Sequence, residues 1–171
     1  MTRTLIATVT LIAAFAPVVH AQPKTGGRLK ASEIEPGLWR GHAPYFRQDY
    51  EDLRQLGVRT VLDIRGNQPL ASFIERRRVE ALGLTYRKVR FGFQPLRDGS
   101  DAAVLAALQN RADYPLYVHC NIDRDRTAVA VAAYRVRVQG WQPADAQAEA
   151  KSFGLKRYFL GLNRYLGRLG E

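Results

Sequence analysis

The chain has 171 residues, of which 46% are apolar and 25% charged, a composition typical of one globular domain and not of a disordered chain. Its 26 Lys and Arg against 16 Asp and Glu give a net charge of +10, which favours anionic substrates, nucleic acid, or transient contact with an anionic membrane surface. No nucleic-acid-binding motif is found, so no nucleic-acid partner is expected.

The first 21 residues have the pattern of a secretory signal peptide. Arg3 precedes an uncharged, mostly apolar run over residues 5–19, and Val19 and Ala21 provide small residues for cleavage after Ala21. The run is shorter than the roughly 20 apolar residues that a membrane span needs, although an uncleaved anchor is the alternative. The sequence therefore predicts a signal peptide (1–21), a flexible leader (22–32), a folded domain (33–171), and a periplasmic or secreted location.

Downstream, segments with strand character alternate with segments of helical spacing. The predicted strands are 38–40, 58–64, 84–90 and 115–119, and the predicted helices are 49–56, 71–82, 101–110, 127–139, 143–153 and 156–169. This alternation predicts an α/β fold, a three-layer α-β-α sandwich with a mostly parallel central sheet. In such sheets ligands bind beyond the carboxyl ends of the strands, which directs attention to the segment after residue 119.

The single cysteine of the chain, Cys120, stands at that point. Exported proteins usually carry paired cysteines, so one retained thiol suggests use, with a buried inert cysteine as the alternative. Five residues separate Cys120 from Arg126, and the next helix is predicted to begin directly after Arg126. A tight loop running into a helix directs several backbone N–H groups into one concavity, which binds phosphate and stabilises a thiolate. Arg126 can bind two phosphate oxygens at once.

The pattern His119-Cys120-x5-Arg126-Thr127 resembles the signature loop of the cysteine-dependent protein tyrosine and dual-specificity phosphatase superfamily. The resemblance covers roughly residues 33–153, because segments 38–41, 56–65 and 80–86 are similar to stretches of small atypical dual-specificity phosphatases, including bacterial ones. It implies hydrolysis of phosphomonoesters through a cysteinyl-phosphate, without a cofactor. The implied substrates are proteins that carry phosphotyrosine or phosphoserine, or phosphoinositide-type lipids.

The resemblance also implies a role for each residue of the loop. Cys120 would be the nucleophile and Arg126 the phosphate clamp. His119 would orient the loop and tune the thiolate, and the Thr127 hydroxyl would ease departure of the sulfur. The implied phosphate-binding residues, which act mainly through their backbone amides, are Asn121, Ile122, Asp123, Arg124, Asp125 and Arg126.

Two residues depart from the family pattern. Asp123 occupies a position that is usually glycine, and Ala128 replaces the glycine that usually follows Arg-Thr. Aspartate tolerates the left-handed backbone conformation, so the loop can still form, but a carboxylate beside a phosphate is repulsive. A weakly active or non-catalytic protein that binds phosphate or anionic lipid is therefore the main alternative function. A rhodanese-type sulfurtransferase is a more distant one.

The general acid has two candidates. Asp98 lies in the region from which the superfamily draws its acid, and it could equally be an ordinary turn residue. Asp125 directly precedes Arg126, as in myotubularin-like lipid phosphatases. The three histidines and the single cysteine show no metal-ligand spacing, so neither a metal nor a cofactor is expected. Nothing in the sequence indicates the oligomeric state.

Overall fold

The computed structural model describes residues 28–171, so the predicted signal peptide and most of the predicted leader lie outside the described residues. The strands are β1 (Ser32–Glu35), β2 (Leu38–Gly41), β3 (Thr60–Asp63), β4 (Thr85–Lys88) and β5 (Leu116–His119). The helices are α1 (Arg47–Gln55), α2 (Pro69–Ala81), α3 (Pro95–Asp98), α4 (Ser100–Gln109), α5 (Arg126–Arg137), α6 (Pro143–Ser152) and α7 (Leu160–Gly167), with a 3-10 turn at Arg111–Asp113.

The five strands form one sheet in the order β1-β2-β5-β3-β4. Strand β1 is antiparallel to β2, and the other three pairings are parallel, so the predicted mostly parallel sheet is confirmed. Strand β5 lies at the centre, where His119 is in register with Gly41 of β2 and with Asp63 of β3. The carboxyl ends of these three strands therefore meet at one edge of the sheet.

The predicted three-layer arrangement is also confirmed, because alternate strand residues enter two separate cores. Leu116 and Val118 of β5 pack in a core with apolar residues of α4, α5, α6 and α7. Tyr117, between them, packs on the opposite face with apolar residues of α1 and α2. The uninterrupted apolar character of β5 follows from burial on both faces.

The fold differs from the sequence prediction at its start and in one loop. Residues 28–32 were expected to belong to a leader, but Leu29 is fully buried and its N–H donates to Asp52 Oδ2 at 3.0 Å. The pairing of β1 with β2 also escaped prediction, because a four-residue strand has little periodicity. The segment 91–100, expected to be a loop, contains the short helix α3. Within residues 28–171, no helix combines the length and apolarity that crossing a membrane requires.

Candidate active site

Cys120 lies at the carboxyl end of β5, and α5 begins six residues later at Arg126. The thiol is 3% exposed. Burial by itself would raise the pKa of the Cys120 thiol, but the neighbouring hydroxyl and amide of Thr127, the charge of Arg126 and the Ile122 amide outweigh burial and lower the pKa. The thiolate is thus favoured by the same groups that would bind a phosphoryl oxygen.

This lowered pKa gives a testable prediction. We expect the rate at which iodoacetamide alkylates Cys120 to rise with pH to a midpoint below about 8.5, the ordinary value for a cysteine thiol. Thr127→Val keeps the shape of the side chain without the hydroxyl and should raise the midpoint. Thr127→Ser keeps the hydroxyl and serves as the matched control. A midpoint at or above 8.5 in the unaltered protein would contradict the prediction.

Arg126 is the first residue of α5 and is 6% exposed. Its guanidinium carbon lies 4.7 Å from the centroid of the Phe93 ring. On another side, Nη1 lies only 3.2 Å from where a Cβ would stand on Gly66, so the missing side chain gives the guanidinium room. Phe93 was not identified from the sequence, because the loop that carries it is more than 30 residues from Arg126.

His119 connects the loop to the interior of the domain. It is fully buried, its Nδ1 donates to the carbonyl of Cys120 at 2.8 Å, and its Nε2 lies 2.8 Å from Glu75 Oε1. Burial lowers the pKa of His119, but the neighbouring carboxylates of Glu75 and Asp63 raise it by more. His119, which directly precedes Cys120, therefore carries a positive charge more readily than an ordinary histidine.

The charges behind His119 form a buried cluster that the sequence did not identify as part of the site. Arg65 donates Nε and Nη2 to the two oxygens of Asp63, at 2.8 and 2.9 Å, and also bonds to Glu75. Further donors to Asp63 are Ser72, Tyr86 and Lys88. Burial alone would raise the pKa of Asp63, but these donors and charges hold it well below the usual range. The cluster links β3 and α2, through His119, to the loop that begins at Cys120.

Asp123 adopts the left-handed backbone conformation that the sequence analysis anticipated, with φ of +56°. Its carboxylate is not free, because Oδ1 accepts a hydrogen bond from Nε of Arg40 at 2.9 Å. Arg40 lies at the end of β2 and is 2% exposed. The expected repulsion between Asp123 and a phosphate is therefore countered by a buried cation that the sequence analysis overlooked.

The other loop residues lie as follows. The carbonyl of Asn121 accepts from Ala43 N at 3.0 Å, which ties the loop to the segment after β2. The side chain of Ile122 is exposed, and Arg124 is partly exposed. Arg124 Nε bonds to Asp125 Oδ2 at 3.3 Å. The carboxylate of Asp125 also accepts the backbone N–H of Lys156 at 3.0 Å through Oδ1, so both of its oxygens are engaged.

Asp98, the other candidate acid, is an exposed residue at the end of α3. Its Oδ1 accepts from Ser100 N at 3.0 Å. Its Oδ2 lies against Gly92, so closely that a Cβ at position 92 would be 1.8 Å away. Gly92 precedes Phe93, the ring of which stacks on Arg126. The carboxylate of Asp98 thus lies against the loop that covers Arg126.

The mouth of the site is rimmed by exposed apolar side chains. Phe93 and Ile122 are 42% and 52% exposed, and Tyr45 is 46% exposed. Burial raises the pKa of the Tyr45 phenol, the charge of Arg65 lowers it, and the charges of Glu75 and Cys120 raise it further. Within residues 28–171, no group of three or more histidine, cysteine or acidic side chains is arranged to hold a metal ion.

Comparison with known proteins agrees with this geometry. A family model described as "DSP-PTPase phosphatase fused to NAD+ Kinase" matches residues 7–157. A protein of Yarrowia lipolytica named "Putative tyrosine-protein phosphatase OCA1" is 30% identical over 137 residues, which cover 75% of this chain and 52% of that protein. Its counterpart in Debaryomyces hansenii is 28% identical over 130 residues, which cover 70% and 64%. The chain thus spans about half to two thirds of the length of these relatives.

Solved structures show the same fold. TpbA of P. aeruginosa superimposes with a TM-score of 0.67 at 24% identity, over 80% of this chain and 83% of that chain. The catalytic domain of the PP-IP phosphatase SIW14 of S. cerevisiae superimposes with a TM-score of 0.65 at 16% identity, over 81% and 84%. Because the family model covers most of its length, this chain belongs to the DSP-PTPase phosphatase family.

Proposed function

We propose that the protein hydrolyses phosphomonoesters through a cysteinyl-phosphate on Cys120. The observation that carries this proposal is a buried cysteine at the start of the loop between the central strand β5 and helix α5, where the charge of Arg126 and the Thr127 hydroxyl lower the pKa of its thiol. The names of the yeast relatives, tyrosine-protein phosphatases, agree with this chemistry, and TpbA has been crystallised with phosphotyrosine.

The proposed reaction has two steps. In the first, the Cys120 thiolate attacks phosphorus, an S–P bond forms, and the P–O bond to the leaving group breaks while a general acid protonates the leaving oxygen. In the second, water attacks phosphorus, the S–P bond breaks, and inorganic phosphate leaves while the same carboxylate accepts the proton of the water. Arg126 and the backbone amides of the loop stabilise the charge on the phosphoryl oxygens. The Thr127 hydroxyl stabilises the departing thiolate.

We propose Asp98 and not Asp125 as the general acid. Both oxygens of Asp125 are engaged, one by the Lys156 amide and one by Arg124, which suits a residue that docks the loop on the α6–α7 connection. Asp98 is exposed, and one of its oxygens has no hydrogen-bond partner among the described residues. Its loop also carries Phe93, which covers Arg126.

The pH–rate profiles of two matched variants test this assignment. Asp98→Asn should lower kcat by about 10²-fold, because general acid catalysis is lost, and should abolish the fall in rate at high pH. Asp125→Asn should keep that fall, since an amide oxygen can still accept from Lys156. The reverse pattern would name Asp125, and unchanged profiles in both variants would exclude both residues.

The proposed activity is tested with the purified chain and p-nitrophenyl phosphate. We expect turnover, and we expect Cys120→Ser to abolish it while preserving the fold. A phosphorylated Cys120, trapped by rapid acid quenching, would identify the intermediate. Phosphate binding that survives Cys120→Ser, with no turnover of any phosphorylated substrate, would instead support the non-catalytic alternative. Thiosulfate:cyanide transfer without phosphatase activity would support a sulfurtransferase.

We propose that the substrate places an apolar or aromatic group next to its phosphate. The support is the exposed rim of Tyr45, Phe93 and Ile122 around the loop. A phosphotyrosine side chain and a phosphorylated lipid at an anionic membrane both fit this description. Comparing kcat/KM for a phosphotyrosine peptide, a phosphoserine peptide and phosphoinositides in vesicles would rank them. Equal rates for all, and for a small polar phosphate ester, would contradict a role for the rim.

We further propose that the protein is exported. The support is the signal-peptide pattern of residues 1–21, which lie outside the described residues. Expression of the full chain in a bacterial host should give a periplasmic or secreted form with Gln22 at its N-terminus. A cytoplasmic protein that retains residues 1–21 would contradict both the export and the cleavage site.

A further inference from the structure

The loop between Cys120 and Arg126 is held by a buried guanidinium from a neighbouring strand. Arg40 Nε lies 2.9 and 3.2 Å from the two carboxylate oxygens of Asp123, and its Nη2 donates to the carbonyl oxygen of the same residue at 3.0 Å. Arg40 therefore forms hydrogen bonds with both the side chain and the backbone of Asp123. The ring of Phe153 covers the guanidinium, 3.5 Å from its central carbon.

Position 123 has an unusual backbone. Its φ of +56° lies in the left-handed region, which glycine adopts without strain and which aspartate tolerates better than most residues. A glycine at this position would need no partner. Aspartate fits the backbone but brings a negative charge into a loop that has to accept a phosphoryl group.

The charges of Arg40 and Asp123 depend on each other. Arg40 is 2% exposed, Asp123 is its one ion-pair partner among residues 28–171, and its Nη1 is buried there without a hydrogen-bond partner. Removing either residue alone would leave the other as a charge with no partner, away from bulk water. Removing both would leave neither charge.

We propose that Arg40 is a positioning residue of the phosphate-binding loop, which neutralises the carboxylate of Asp123 so that the loop binds an oxyanion despite lacking glycine at position 123. This inference rests on the proposed function only in that the loop binds a phosphoryl group. It requires no particular substrate and no turnover. Arg40 itself does not touch the reacting atoms.

The test measures binding of tungstate, a phosphate analogue, by titration calorimetry with the purified chain. We expect Arg40→Met to weaken tungstate binding at least about tenfold, because it leaves the Asp123 carboxylate unneutralised in the loop. Asp123→Gly in the same chain as Arg40→Met should restore the affinity to within about threefold of the unaltered protein. Asp123→Asn combined with Arg40→Met separates charge from backbone strain, and it should restore most of the affinity as well.

Two results would overturn the proposal. One is an Arg40→Met variant that binds tungstate like the unaltered protein. The other is a double variant, Arg40→Met with Asp123→Gly, that binds as weakly as Arg40→Met alone, since Arg40 would then act independently of Asp123. If Arg40→Met fails to fold, the double variant decides the matter. Folding and binding by the double variant support the proposal, and its failure to fold overturns it.

The same variants distinguish this inference from the proposed function. If the unaltered protein binds tungstate but hydrolyses no phosphomonoester, the proposed function fails. The tungstate affinities of the single and double variants would still test the role of Arg40. If the protein is active, Arg40→Met should raise KM more than it lowers kcat, and the double variant should reverse the change in KM. A loss confined to thermal stability, with KM unchanged, would indicate a structural role alone and would contradict the proposal.

Discussion

Replacing Arg126 with lysine should lower kcat for aryl phosphate hydrolysis by about 10²- to 10³-fold. Lysine keeps the positive charge but cannot bind two phosphoryl oxygens in the planar, forked geometry of a guanidinium. It also loses the flat contact with Phe93, 4.7 Å from the guanidinium carbon. Because this interaction strengthens as charge moves onto the phosphoryl oxygens, the loss should appear in kcat as well as in kcat/KM. Steady-state kinetics on the purified chain measures both.

The matched control for this variant is Arg124→Lys. Arg124 belongs to the same loop, but it is partly exposed and bonds to Asp125. Its replacement should change kcat by less than about threefold, because a partly exposed ion pair contributes little and lysine can re-form it. Equal losses in the two variants would mean that the loop needs positive charge in general and not a clamp at position 126.

Replacing Arg65 with methionine should lower the free energy of unfolding by about 3–5 kcal/mol. Arg65 is the buried cation between Asp63 and Glu75, so its loss leaves two buried carboxylates with too few positive partners. Urea denaturation followed by circular dichroism measures the change. Arg76→Met is the matched control, since Arg76 pairs with Glu80 on the exposed face of α2, the helix that carries Glu75, and its replacement should change stability little.

The pH dependence of stability provides a second test of the buried cluster around Asp63 and Arg65. The pKa of Asp63 is held well below its ordinary value in the folded protein, so the stability that this carboxylate contributes is present above about pH 4. That stability is lost as the pH falls through the lowered pKa. Arg65→Met should weaken this dependence, because the guanidinium is the main cause of the shift. A variant with an unchanged dependence at acid pH would contradict the assigned cause.

The site residues that are close together in the chain could be predicted from the sequence. The residues that folding brings to them from distant segments could not. One short segment contains a strand, Cys120, a loop of five residues and a helix that starts at Arg126. The backbone of Asp123 was anticipated because few residues other than glycine accept its conformation. By contrast, nothing in the sequence distinguishes Glu75, between Ile74 and Arg76, from an ordinary charged residue of a helix. Its position against His119 depends on how α2 packs on the sheet.

Arg40 and Phe93 escaped prediction for the same reason. Arg40 lies 83 residues before Asp123 in the chain, and the parallel pairing of β2 with β5 brings the two residues together. That pairing places Gly41 beside His119, so the residue before Gly41 can reach the loop that follows His119. A lone arginine in a four-residue strand carries no pattern that would indicate such a partner.

The residue that precedes the last helix forms part of the wall beside Arg126. Phe159, the residue before α7, stacks on Phe93 with ring centroids 4.7 Å apart, and Phe93 in turn covers Arg126. Helix α7 contributes Leu162, Tyr165 and Leu166 to the main core. A truncation after residue 157, where the match to the family model ends, would therefore remove the ring that stacks on Phe93 and leave one face of Phe93 uncovered. Shortened versions made for expression should keep Phe159 and α7 if Phe93 and Arg126 are to keep their native surroundings.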